Sequence, residues 1–116
     1  MKKKLFSILL YALSFSFGFA QTSQVIDSLK HELTIAKQDT TRVDILVDLC
    51  RKYWGINPDS SLKYGQQSLA LSKEIHFYSG ESSSLQALGV AYRTLGDYPK
   101  ALDFTFKGLQ IAENNR

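Results

Sequence analysis

The sequence has one cysteine and two prolines in 116 residues. A single cysteine cannot close a disulfide within the chain, so no disulfide framework supports this small domain. Cys50 lies in DILVDLCRKYW, where the helical pattern points it inward. It is predicted to be a small buried core residue, and a reactive or metal-binding thiol is the alternative. Pro58 and Pro99 both stand where a helix can begin.

The motifs of common catalytic sites are also lacking. The sequence contains no glycine-rich phosphate loop, no GxSxG and no HExxH. His31 is predicted on a solvated helix flank and His76 in a loop, and the serine run at 82–84 is predicted to start a helix. No serine has a base and an orienting acid at motif spacing. We therefore predict no catalytic residue, no metal site, no cofactor and no enzyme activity.

Positive charge is in excess only at the N-terminus, MKKKLFSILLYALSFSFGFAQ. Three lysines precede an apolar run at 5–19, which ends in the small-x-small pattern Gly18-Phe19-Ala20. This predicts a cleaved signal peptide over residues 1–20. An uncleaved anchor is the alternative, although the run is shorter than the roughly 20 residues that span a bilayer. Export to the periplasm follows, with secretion or membrane tethering as alternatives.

Without the three leader lysines, eleven basic residues balance eleven acidic residues. A neutral chain has no basic footprint for nucleic acid, so no nucleic-acid partner is expected. Residues 21–116 are long enough for a modest core only.

Apolar residues recur at spacings of three and four, and no stretch shows strict alternation. The predicted fold class is therefore all-α, with five helices at about 23–37, 41–54, 59–75, 81–95 and 98–114. Thr41 and Asp44 have capping-box spacing at the start of the second helix. The predicted core positions of the first two helices are Val25, Ile26, Leu29, Leu33, Ala36, Ile45, Leu46, Leu49, Cys50 and Tyr53.

The pattern repeats at an offset of 39 or 40 residues, which is typical of a helical solenoid. A leading helix at 21–39 precedes a first repeat at 40–79 and a second at 80–116. Gly89 costs about 1 kcal/mol in helix propensity, which is reasonable if a neighbouring helix needs the space of its Cβ. The matched pairs are Leu46 with Leu85, Leu49 with Leu88, Cys50 with Gly89, Tyr53 with Tyr92, Ser61 with Ala101, and Ser68 with Gly108.

The second repeat resembles the tetratricopeptide repeat in Leu85, Leu88-Gly89, Tyr92, Gly96, Tyr98-Pro99, Ala101 and Gly108. The first repeat is degenerate, with Cys50, Ser61 and Ser68 at small-residue positions. The resemblance implies an antiparallel helix-pair solenoid that holds a peptide or partner helix in a concave groove. The long period and DTTRVDIL are similar to the exported repeat arrays of bacterial membrane-bound sensory proteins, which implies the periplasmic sensory segment of a longer signalling protein.

Carried onto this sequence, the resemblance implies a partner-binding groove along the first helix of each repeat. Arg51, Trp54 and Arg93 are residue types that often anchor interfaces. The alternative is that the arginines are solvated and Trp54 seals the end of its helix. The lysine-and-asparagine clamp for C-terminal carboxylates is not matched. The implied groove residues are Asp44, Val47, Asp48, Arg51, Trp54, Ser83, Gln86, Val90, Arg93 and Thr94.

The predicted function is a non-catalytic protein–protein interaction scaffold. The alternative is a self-assembling structural unit, because the last helix carries Phe104, Phe106, Leu109 and Ile111 on more than one face. A helix that is apolar on two sides expects two neighbours. Either the chain is a fragment of a longer array, or it forms a homodimer through this C-terminal helix.

Overall fold

The computed structural model describes the backbone of residues 2–116 and the side chains of residues 7–9 and 20–116. This part of the chain forms five α-helices and no strand, which confirms the all-α class. The helices are α1 (Lys2–Ile35), α2 (Thr40–Lys52), α3 (Pro58–Glu74), α4 (Tyr78–Thr94) and α5 (Tyr98–Asn114).

The first helix, α1, is longer than the sequence predicted. It was expected from about residue 23, but it runs without a break from Lys2 to Ile35, a length of about 51 Å. The predicted cleavage point after Ala20 therefore lies within a helix. Most of the predicted apolar leader has side chains outside the described set. Among the described residues, no helix is long and apolar enough to cross a membrane.

Side-chain caps determine where three of the helices begin. The Asp39 carboxylate accepts hydrogen bonds from the backbone N–H groups of Thr41 (3.0 Å) and Arg42 (3.4 Å) at the start of α2. The predicted capping box at Thr41 and Asp44 was therefore wrong, because Asp39 occupies the N-cap. Asn57 caps α3 through Ser60 N–H, and Asp97 caps α5 through Lys100 N–H.

The core is centred on α2, which is apolar on two sides. One side packs with α3 and α4 around Val43, Leu46 and Cys50, and the other packs with α1 around Ile45 and Leu49. The predicted inward positions of α2 are confirmed, and Cys50 is completely buried. The α1 residues in contact with this core are Ile26, Leu29 and Leu33, and Ala36 just beyond the end of the helix also contacts it. Val25 was also predicted to face inward, but it is 41 % exposed.

Each helix packs against the next along the chain, and α4 also contacts α2. Two glycines make these contacts possible. A Cβ on Gly65 of α3 would lie 2.6 Å from Leu88 Cδ2 of α4, and a Cβ on Gly89 would collide with Thr105 Oγ1 of α5. The sequence-based explanation of Gly89 is confirmed, because α5 occupies the space that a side chain would need.

Candidate functional site

The exposed side of α2 carries the charged residues that the sequence assigned to a groove. Asp44, Asp48 and Arg51 are all exposed. Arg51 pairs with Asp48 at 3.6 Å, with the two side chains 47 % and 53 % exposed. An exposed pair of this kind contributes little to stability, so both groups can exchange partners at low cost.

Asp44 differs from the other two charged residues in its electrostatics. Partial burial raises the pKa of its carboxyl above the ordinary value, the neighbouring Asp48 carboxylate raises this pKa further, and Arg51 lowers it. Both main effects disfavour the ionised form. A cationic group placed beside Asp44 would therefore be favoured.

Two of the predicted groove residues belong to the packing between helices. Val47 is 3 % exposed and lies in the core with Ala87 of α4, so its side chain does not face a groove. Trp54 is half-buried against the same core, and its indole N–H donates to the carbonyl oxygen of Ala87 at 3.1 Å. The structure thus favours the alternative that Trp54 seals the end of its helix.

The predicted residues on α4 do not share one environment. Val90 and Arg93 line an open groove of about 370 Å³, which is otherwise formed by Gly89, Tyr98, Ala101, Leu102 and Thr105 and contains no residue of α2. Ser83 lines a different cavity near Tyr78 and Ile111. Gln86 is exposed and donates to Ser82 Oγ, and the Thr94 hydroxyl donates to Ala91 of its own helix.

A second exposed surface was only partly anticipated. Of the four residues predicted to carry the apolar surface of the last helix, Phe106 and Leu109 are exposed. Phe104 and Ile111 are instead half-buried, and Phe104 packs against Tyr92 with ring centroids 5.1 Å apart. The helical spacing of Tyr98, Leu102 and Phe106 could have identified the true face. We call this face the α5 stripe; its residues and exposures are Tyr98 (67 %), Leu102 (73 %), Phe106 (61 %) and Leu109 (52 %).

A smaller cavity of about 220 Å³ lies between α1 and the end of α2 and was not predicted. Lys30 Nζ stands 5.7 Å from the centroid of the Tyr53 ring, which stacks on Tyr64 at 5.8 Å. Interaction with the Tyr53 side chain is the main cause that raises the pKa of Lys30. These contacts attach α1 to the first repeat.

The remaining candidate groups are engaged in the fold. Burial raises the pKa of the Cys50 thiol, which makes its thiolate form less accessible. Ser61 donates to the carbonyl oxygen of Cys50 at 2.8 Å, and Ser68, Ser72 and Ser84 donate to carbonyls of their own helices. In the described part of the chain, no three His, Cys, Asp or Glu residues are grouped so that they could hold a metal ion.

Comparisons of the chain with models of protein families, with curated proteins and with solved structures found no match.

Proposed function

We propose that the protein is a non-catalytic protein-binding module, built as a tetratricopeptide-like helical repeat, which takes a peptide or partner helix on the exposed sides of α2 and α4. The main support is that α2 and α4 contact each other although α3 separates them along the chain. Asp48 and Arg51 on α2 and Gln86 on α4 are therefore exposed on neighbouring helices.

The charges suggest what such a ligand carries. Arg51 and Arg93 would pair with acidic groups, and Asp44 would pair with a basic group that relieves its unfavourable ionisation. Because this last contact needs the ionised carboxylate, binding should weaken as the pH falls through the raised pKa of Asp44. A peptide of mixed charge fits this surface better than a uniformly acidic peptide.

The test is a selection of random peptides on the purified protein, followed by titration of the selected peptides against two variants. Arg51→Ala should weaken binding at least tenfold, or about 1.4 kcal/mol. Lys107→Ala is the matched control, because Lys107 forms a similar exposed pair with Asp103 at 2.9 Å on α5. It should leave the affinity within about twofold, which is below 0.5 kcal/mol. Equal losses in both variants, or no selected peptide, would reject the proposal.

Export belongs to the same proposal. It is supported by the lysine-rich start and the apolar run that follows it. The core contacts described for α1 are made by Ile26, Leu29 and Leu33, so removal of residues 1–20 would leave these contacts in place. Intact mass of the protein from its own cells tests cleavage, since a mass that retains residues 1–20 would contradict it. A role as the periplasmic sensory segment of a longer signalling protein would be consistent with export.

Self-assembly through the last helix is the second candidate function. The observation in its favour is the α5 stripe, whose four large apolar side chains are each more than half exposed. Contiguous exposed apolar surface of this kind commonly marks a protein interface. Concentration-dependent association in solution would support this candidate, and a monomer at every concentration would reject it.

A further inference from the structure

Comparison of α5 with its counterpart in the first predicted repeat, α3, shows that the α5 stripe lacks a covering helix. Leu102, Thr105 and Leu109 are exposed on α5, whereas their counterparts on α3, namely Leu62, Gly65 and Leu69, are half-buried or buried. The difference arises because α4 packs onto α3, whereas among the described residues no helix packs onto the same side of α5. A further helix therefore fits this side of α5.

The helix that fits here is not a repetition of α4. Leu88 of α4 fits against α3 because Gly65 has no Cβ, which would lie 2.6 Å from Leu88 Cδ2. Thr105 is the counterpart of Gly65 and already carries a side chain, whose hydroxyl lies over Gly89. A leucine in the place of Leu88 would collide with Thr105, so the occupant needs a smaller residue there.

A second copy of α5 meets this requirement when the two helices run antiparallel about Thr105. Thr105 then lies opposite Thr105 of the second copy, and Leu102 comes within one residue of the position opposite Leu109. The stripe is spaced almost evenly on both sides of that centre, with Tyr98 seven residues before it and Ala112 seven residues after it. Symmetric pairs bury the same surface of both chains in this way.

Charge complementarity supports the same arrangement. Arg93 borders the groove beside Tyr98 and Leu102. Antiparallel pairing about Thr105 brings residues 112 and 113 of the second copy to Tyr98, which places Glu113 near Arg93. Within the described chain neither Arg93 nor Glu113 forms an ion pair. By symmetry, each dimer would contain two such pairs.

The available area is also sufficient. At about 200 Å² for a fully exposed large apolar side chain, the four residues of the α5 stripe expose roughly 500 Å². A standard interface uses about 800 Å² per partner. The stripe alone therefore supplies more than half of the area that each partner of a standard interface buries, and the remainder would come from the polar residues around it.

We propose that the protein forms a closed homodimer in which the α5 stripes of two copies pack antiparallel about Thr105, with Arg93 of each chain paired to Glu113 of the other. This inference rests on the second candidate function, self-assembly, and in the dimer Arg93 would be engaged by Glu113 rather than by a peptide. It specifies that self-assembly stops at a closed twofold pair and does not continue into an open chain of subunits.

Sedimentation of the purified full chain tests the pairing. The native protein should sediment as a dimer, and Arg93→Glu should weaken dimerisation at least tenfold, as should Glu113→Arg. Combining the two substitutions should restore the affinity to within threefold, because the charges are exchanged. Lys107→Glu is the control and should have no effect, since Lys107 lies two positions along the helix from Thr105 and thus on the opposite side.

A cross-link provides an independent test of the twofold centre. Thr105→Cys should form a covalent dimer in oxidised glutathione, whereas Lys107→Cys should not. The native Cys50 gives no background because it is completely buried.

The outcomes distinguish the pairing about Thr105 from self-assembly in general. If the dimer affinity is unchanged by substitution of Arg93 or Glu113 and Thr105→Cys does not cross-link, this pairing is overturned. Self-assembly through another arrangement would still stand. Oligomers that grow with concentration would also overturn the closed pair. A monomer at all concentrations would overturn both the pairing and self-assembly.

Discussion

His76 is the one non-glycine residue with a positive φ in the described part of the chain, at 57°. It ends α3 with two hydrogen bonds, from Phe77 N–H to Ser72 O and from His76 N–H to Lys73 O, which together form a Schellman motif. Gly96 ends α4 in the same way, with φ 82°. The two repeats thus use the same helix stop, once with the favoured residue and once without it.

His76→Gly should stabilise the protein by about 1 kcal/mol, because glycine adopts the left-handed conformation without steric cost. Its thermal midpoint should rise by about 4–8 °C in a domain of this size. Gly96→Ala should lower the free energy of unfolding by a similar amount. No atom lies near the Cβ position of Gly96, so the cost comes only from the backbone conformation. Thermal unfolding followed by circular dichroism checks both, and an unchanged midpoint for both variants would contradict the argument.

At the scale of the element, α1 has no basic residue in its own last turn. Its C-terminal carbonyl groups are instead capped by Arg42 of α2, whose guanidinium donates to Leu33 O at 2.9 Å and to Ala36 O at 3.2 Å. A cation at the C-terminal end of a helix also interacts favourably with the helix dipole. One arginine therefore holds the end of α1 against the start of α2.

Arg42→Met should lower the free energy of unfolding by about 1–2 kcal/mol, because two carbonyl groups lose a charged donor while the aliphatic stem is retained. The matched control is Arg51→Met on the same helix, whose exposed pair with Asp48 should be worth less than about 1 kcal/mol. Urea denaturation measures both values, and hydrogen exchange should show reduced protection of backbone amides at the end of α1 in Arg42→Met. Equal effects of the two substitutions would argue against the cap.

At the scale of the whole molecule, the two predicted repeats meet where α4 crosses α3. Leu88 is completely buried and lies against Gly65, and Cys50 Sγ also lies beside this glycine. Trp54 adds a hydrogen bond from the corner after α2 to the backbone of α4. The two helices approach closely because one of them lacks a side chain at the crossing.

A double-mutant cycle at this crossing tests the account. Leu88→Ala should cost about 2–5 kcal/mol by leaving a cavity, and Gly65→Ala about 1–3 kcal/mol by overpacking. The double variant should be no less stable than Leu88→Ala alone, because the smaller side chain at 88 makes room for the new methyl group. Chemical denaturation provides the three values, and simple additivity would contradict direct contact.

Local patterns identified much of this fold. The spacing of Ile45, Leu46 and Leu49 predicted the buried side of α2, and Gly89 predicted a close helix crossing. These inferences succeeded because helical periodicity and residue size act over one or two turns. Val47 failed as a groove residue because a helix in the middle of a bundle is covered on two sides, and a repeat pattern alone does not show how many neighbours cover it.

The all-α class, the helices of the described chain and the buried position of Cys50 follow from the amino-acid pattern alone, because they depend on the order of apolar residues along the chain. Three other features became visible only in the folded molecule: Asp39 caps α2, Trp54 donates a hydrogen bond to α4, and Leu102 rather than Phe104 lines the open face of α5. Those outcomes depend on which side of each helix meets a neighbour, and that is settled by the packing of all five helices together.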